Sequence, residues 1–109
     1  MSRSKGDIAE ERACRYLRQN GFDIVDRNVY SRFGEIDIIA LKDETLHFVE
    51  VKSGSEYEKA IQNITPKKLQ RFLLTVETYL QKHKLDLPYS IDALSVTPDR
   101  VHMVENITL

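Results

Sequence analysis

Asp37, Glu50 and Lys52 are the residues of this chain whose types and spacing could do chemistry, and that chemistry is metal-assisted attack on a phosphodiester. They lie in Gly34-Glu-Ile-Asp-Ile-Ile-Ala-Leu, a short Lys42-Asp-Glu-Thr connection, and Leu46-His-Phe-Val-Glu-Val-Lys52. Read as a symmetric hairpin with Asp43-Glu44 at its tip, every facing pair has numbers summing to 87, so Asp37 faces Glu50 and Glu35 faces Lys52. Opposed residues of an antiparallel pair have Cβ atoms about 4.5–5.5 Å apart, on one face of the sheet. Period-two alternation then places Glu35, Asp37, Ile39 and Leu41 on that face with Leu46, Phe48, Glu50 and Lys52. Two carboxylates so opposed repel, and Asp and Glu are poor strand formers, so the arrangement costs stability unless something compensates. A hard divalent cation, Mg2+ or Mn2+, is the natural compensation. It binds through one or two carboxylates and keeps waters and a substrate phosphate in its other positions. Lys52 would project beside it, placed to orient or help deprotonate an attacking water and to stabilise charge growing on the phosphate. The plainer reading of the same spacing is a solvated strand end in which Lys52 pairs with Glu35 and Glu50.

Positioning these residues requires a sheet and helices packed on it. From about Lys5 to Asn20 the apolar residues Ala9, Ala13, Tyr16 and Leu17 recur at helical spacing, and Asn20-Gly21 supplies a stop signal. Phe22 to Val29 reads as a strand, and Phe33 to Leu41 and Thr45 to Lys52 as strands rich in Ile, Val and Phe. Thr65-Pro66 reads as an N-cap with proline at the first helical position, ahead of Leu69, Phe72, Leu73, Val76, Tyr79 and Leu80. Tyr89 to Val96 and Arg100 to Ile107 are two further strands, separated by the turn Thr97-Pro98-Asp99. The order is αβββαββ. With Ala9 as zero and about 100° per residue, Ala13, Tyr16 and Leu17 fall within roughly −20° to 80°, Glu10 near 100° and Glu11 near 200°. Glu10 therefore borders the buried face of the first helix, and Glu11 points to solvent.

A chain of 109 residues with 41% hydrophobic content is the size of one compact domain with a real core, and no repeat, low-complexity tract or linker divides it. No apolar run approaches the roughly 18 residues of a membrane span, and the N-terminus leads into charged sequence rather than a signal-peptide core. The expectation is a protein of the cytoplasm with no membrane partner. The single cysteine, Cys14, excludes an internal disulfide and a cysteine-rich zinc site, and reads as a small apolar helix residue. A net charge of −1 counts against a broadly basic nucleic-acid binder. It accords with carboxylates gathered around a cation that offsets them where a phosphate sits. Arg27 and Arg32 precede the acidic centre and Lys67, Lys68 and Arg71 follow it; the second cluster reads equally well as a solvated helix face.

Asp37 followed by Glu50-Val51-Lys52 resembles the Asp and Glu-x-Lys of the PD-(D/E)xK nuclease superfamily, whose core order is αβββαβ. Lys5-Gly6, Ala9-Glu10, Gly21-Phe22, Arg27-Asn28, Gly34-Glu35-Ile36-Asp37, Phe48-Val49-Glu50-Val51-Lys52 and the helix opening at Lys67 resemble the bacterial UPF0102 (YraN) family nearly end to end. That family is considered distantly similar to archaeal Holliday junction resolvases, which place a glutamate of the first helix beside the Asp and Glu-x-Lys. The resemblance implies a restriction-endonuclease-like fold, a mixed central sheet flanked by helices. It also implies an endonuclease dependent on Mg2+ or Mn2+, with DNA, branched or structured DNA included, as substrate. The catalytic residues it implies are Asp37, Glu50, Lys52 and Glu10, and the metal-site residues Asp37, Glu50, Val51 and Glu10. Ile36 stands where many superfamily members have proline before the Asp. Small nucleases of this kind often act as homodimers, each subunit cutting one strand; no feature of this sequence itself demonstrates one.

Other residues take secondary places. Glu35 is either a partner of the metal site or the salt-bridge mate of Lys52. Gln62 and Lys68 fall where nucleases of this type often contact phosphate, and for Gln62 plain solvent exposure is the stronger reading. Glu10, at the border of the buried helix face, reads equally as a carboxylate reaching over the sheet toward Asp37, as the resolvase resemblance implies, and as an ordinary edge charge. His47 falls on the face opposite the carboxylates and, with His83 and His102, makes no metal-ligand spacing. Asp92 sits inside a strand as a structural hydrogen-bonding residue. The competing function is a nucleic-acid or protein binding module that keeps the fold without turnover. Opposed carboxylates argue against it, because binding alone has no need of them.

Overall fold

The computed structural model describes residues 5–53 and 65–107, and Gln62 lies outside them. The elements are α1 (Lys5–Gln19), β1 (Asp23–Ser31), β2 (Gly34–Lys42), β3 (Thr45–Ser53), α2 (Pro66–Lys82), β4 (Tyr89–Val96) and β5 (Val101–Val104). Chain order is therefore αβββαββ, as the periodicities require. The sheet runs β1-β2-β3-β4-β5, with β3 and β4 parallel and the other neighbours antiparallel. It is a mixed sheet compatible with the αβββαβ core.

Helix α1 stops at Gly21, whose φ of 87° suits a residue without Cβ; its N–H bonds the Arg18 carbonyl at 3.2 Å and the Phe22 N–H reaches back to Leu17 at 3.0 Å. Phe22 is buried, so the stop also anchors the turn into β1. At the other helix Thr65 is the N-cap, its Oγ1 accepting from the Lys68 N–H, with Pro66 in the first turn. The β2–β3 turn has Asp43 and Glu44 both at positive φ (50° and 62°), the geometry that lets a two-residue hairpin follow the right-handed twist of its strands.

Each helix covers one face of the sheet. Ala9, Ala13, Cys14 and Leu17 of α1 pack on Ile38, Ala40, Val49, Leu94 and Val96. On the other face Phe72, Val76 and Tyr79 of α2 pack on Ile36, Ile39, Leu46, Phe48 and Ile91. Each of these larger side chains contributes on the order of 2 kcal/mol by leaving water, which is what holds both helices against strands that carry charge at one end.

Two boundaries differ from expectation by more than one residue. Strand β1 runs on past Val29 to Ser31, because a tight turn pairs Ser31 with Gly34. Strand β5 covers only Val101–Val104 instead of Arg100 to Ile107, because the chain bends back onto β4 after Glu105. Asn106 takes a φ of 57° and its N–H donates to the buried carboxylate of Asp92 at 2.8 Å, while the Ile107 N–H bonds the Ile91 carbonyl. Asp92 is fully buried and also holds Ser90 Oγ and His47 Nδ1, each at 2.6 Å. That confirms its structural role.

Candidate active site

The hairpin register is the expected one: Lys42 pairs with Thr45 and Ile38 with Val49, each pair summing to 87. The ladder ends there. Beyond Ile38 the Val51 N–H, which would otherwise meet a main-chain carbonyl of β2, donates to Asp37 Oδ2 at 2.7 Å. The Asp37 side chain thus replaces backbone in the ladder, and β2 and β3 part at this residue.

The expectation that Asp37 shares a face with Ile39 and Phe48 is corrected by the packing. Ile36 and Ile39 face α2, whereas Ile38 and Ala40 face α1, so strict alternation breaks between Ile36 and Ile39. Asp37 lines a cleft of about 280 Å³ on the α1 side with Glu10, Asn28, Glu35 and Val51. Glu50 and Lys52 line a second cleft, of about 340 Å³, on the α2 side with Lys68 and Arg71. Glu35 borders both. The matching break lies on β1, where Arg27 and Asn28 both reach Glu10 and Val29 packs on the α2 side. Asn28 has a φ of 52°, a conformation in which Asn is enriched. Register is kept across the break, Arg27 opposite Ile38 and Val29 opposite Ile36, because both strands carry it.

Burial pushes the Asp37 carboxyl up to about 7; a hydrogen bond from the Val51 N–H opposes this, and a hydrogen bond to Glu35 with the charges of Glu35 and Glu50 adds to it. Asp37 therefore senses both Glu35 and Glu50 across the fork, although Glu50 opens into the other cleft. Glu50 Oε1 is 3.0 Å from Lys52 Nζ, so the ion pair expected at a plain strand end is present. Lys68 and Arg71 stand over the same cleft, Arg71 donating its Nε to the Phe33 carbonyl at 2.9 Å. Among the described residues no cluster of three His, Cys, Asp or Glu side chains is close enough to hold an ion.

Glu10 is nine-tenths buried and Glu11 exposed, as the helix angles require. Glu10 Oε1 accepts from Arg27 Nε at 3.0 Å and Asn28 Nδ2 at 2.9 Å, so this glutamate ties α1 to the edge of β1 beside Asp37. Sequence reasoning missed that pair of partners; the one signal available was Arg27-Asn28 itself, a basic and an αL-tolerant residue side by side. Glu10→Gln should lower stability by about 1–2 kcal/mol through the weakened charged hydrogen bonds, and Glu11→Gln should change it by less than about 0.5 kcal/mol. Thermal melts of both variants check this, and equal effects would mean the helix phase is wrong.

Residues 9–96 match the family model described as "Uncharacterised protein family UPF0102". The chain belongs to the UPF0102 family. It is similar over its whole length to UPF0102 proteins that it covers completely, 56% identical to that of Sulfurimonas denitrificans and 47% to that of Aliarcobacter butzleri. A UPF0102 protein of Wolinella succinogenes is 50% identical, again with both chains fully covered. The matched span takes in Glu10, Asp37, Glu50, Val51 and Lys52 together. Among the described residues no helix is long and apolar enough to cross a membrane.

Proposed function

We propose that this UPF0102 protein is an endonuclease of the PD-(D/E)xK type that hydrolyses phosphodiester bonds in DNA, branched or structured DNA included, with Mg2+ or Mn2+. The observation that carries this reading is the fork at Asp37. Its carboxylate takes the Val51 N–H where the β2–β3 ladder stops, beside Glu35 and a helix glutamate and within reach of the charge on Glu50. Nothing in the packing needs Asp37 buried beside the charges of Glu35 and Glu50, and a divalent cation relieves that repulsion. The donor types suit a hard cation, Asp37 and Glu10 from one cleft with Val51 offering main-chain oxygen, and Glu50 would have to leave Lys52 and swing from the other cleft to complete the set. When bound, the ion supplies Lewis-acid charge at the phosphate and a more acidic water. Lys52 would orient a water and offset charge growing on a phosphate oxygen, while Lys68 and Arg71, across the cleft from Glu50, would hold the phosphate backbone. Cutting both strands of a duplex by this one site calls for a homodimer.

A second reading, a binding module without turnover, is favoured by the Lys52–Glu50 ion pair, which satisfies both groups without a metal. A calorimetric titration with Mn2+ separates the two. Binding by the wild type that is lost in Asp37→Asn supports the metal centre, and no binding at millimolar Mn2+, with or without DNA, removes it.

A further inference from the structure

Tyr30 is the most exposed large apolar side chain among the described residues, at 70%, and it stands on the edge strand β1 at the mouth of the Asp37 cleft. The break at Asn28 puts it there. With Val29 turned to the α2 side, Tyr30 stands on the sheet edge in register with Glu35, lining the cleft of Asp37 and Glu10 and bordering a second cleft on the α2 side with Thr75 and Tyr79. An aromatic ring gains by burial, and an edge strand offers no reason to hold one open to water. Around the β1–β2 turn the surface is cationic and aromatic as well. Arg32 lies 4.8 Å over the Phe33 ring, and Arg71 donates to a main-chain carbonyl, contacts with neutral groups that do not cancel either charge. A phosphate backbone crossing this turn toward the carboxylates would meet Arg32 and Arg71, and its bases would meet Tyr30.

We propose that Tyr30 is a stacking platform for an unpaired base beside the phosphate received at the carboxylate fork, so that the nucleic acid bound here is single-stranded at that point. Base faces are hidden in a duplex and open in a single strand, a loop or a branch, and an aromatic side chain recognises any of the four by stacking. The inference rests on the reading that the fork receives nucleic acid, and not on whether it cuts it.

The test is equilibrium binding of labelled single-stranded DNA, single-stranded RNA and blunt duplex DNA of one sequence, with Ca2+ to screen the carboxylates. Tyr30→Ala should weaken single-strand binding about tenfold and duplex binding less than twofold, whereas Tyr30→Phe should bind like the wild type. Because the chain has no tryptophan, Tyr30→Trp adds a single reporter whose emission should be quenched by the single strand and not by the duplex. Tyr30 dependence on either DNA or RNA supports the proposal, and the two arms report which sugar is accepted. Equal loss on single strand and duplex, no loss, or no binding of any nucleic acid overturns it. Single-strand binding that needs Tyr30 without cleavage in Mg2+ or Mn2+ overturns the nuclease and keeps this inference; cleavage unaffected by Tyr30→Ala does the reverse.

Discussion

Lys52→Ala is expected to lower single-turnover cleavage of DNA by roughly 10²–10³-fold while Mn2+ binding and the fold persist. Lys52 Nζ lies 3.0 Å from Glu50 Oε1 in a cleft shared with Lys68 and Arg71, and the two paired side chains are a quarter to a third exposed. An ion pair that wet contributes less than about 1 kcal/mol, so its loss does not unfold the protein. DNA affinity should fall only a few-fold, because one phosphate contact among several is lost. What the variant lacks is a cation that acts on the water and on the charge of the transition state, and a loss confined to turnover is the mark of such a group. A binding module has no turnover to lose, and there Lys52→Ala would change affinity and its salt dependence alone.

Asp37→Asn is expected to stabilise the metal-free protein at pH 8 by roughly 2–4 kcal/mol, about 10 °C in melting temperature, and to abolish cleavage. The folded-state carboxyl titrates near 7 against an ordinary value of 3.8, so between those values the folded protein holds a proton that the unfolded chain has released. Stability of the wild type therefore falls as pH rises through that window, and stays lowered above it. Asparagine keeps an oxygen for the Val51 N–H and carries no charge. Its advantage builds from about pH 4 to about pH 7 and disappears below pH 4. Cation binding needs the ionised carboxylate, so wild-type affinity for Mn2+ should climb with pH to about 7 and level off, and the variant should bind none. Melting curves at pH 4, 6 and 8, with and without Mn2+, check all of this. Parallel curves for the two proteins would mean Asp37 is not held in this environment.

Most of the fold was legible in the sequence because its elements carry local signals: Thr65-Pro66 at a helix start, Gly21 at a stop, Asp43-Glu44 at a symmetric hairpin. The hairpin register was legible, since turn length alone fixes Ile38 against Val49, but the facing of Asp37 and Glu50 expected from it lies beyond the end of the observed ladder. What periodicity could not carry was the paired break at Arg27/Asn28 and Asp37/Ile38. Breaks on both strands preserve register while changing which face a side chain leaves, so alternation from the turn places Asp37 with Phe48 where the packing places it with Glu10. The early end of β5 escaped for a similar reason. Its cause is the buried Asp92, a residue of β4 that captures the Asn106 N–H from far along the chain.

Cleavage of nucleic acid at the carboxylate fork is checked by incubating end-labelled linear, flapped and four-way DNA with the wild type in Mg2+, Mn2+ or EDTA. Cleavage of at least one of these in either metal, none in EDTA and none by Asp37→Asn is the result expected. Wild-type protein that binds DNA tightly and cuts none of the three in either metal would contradict it.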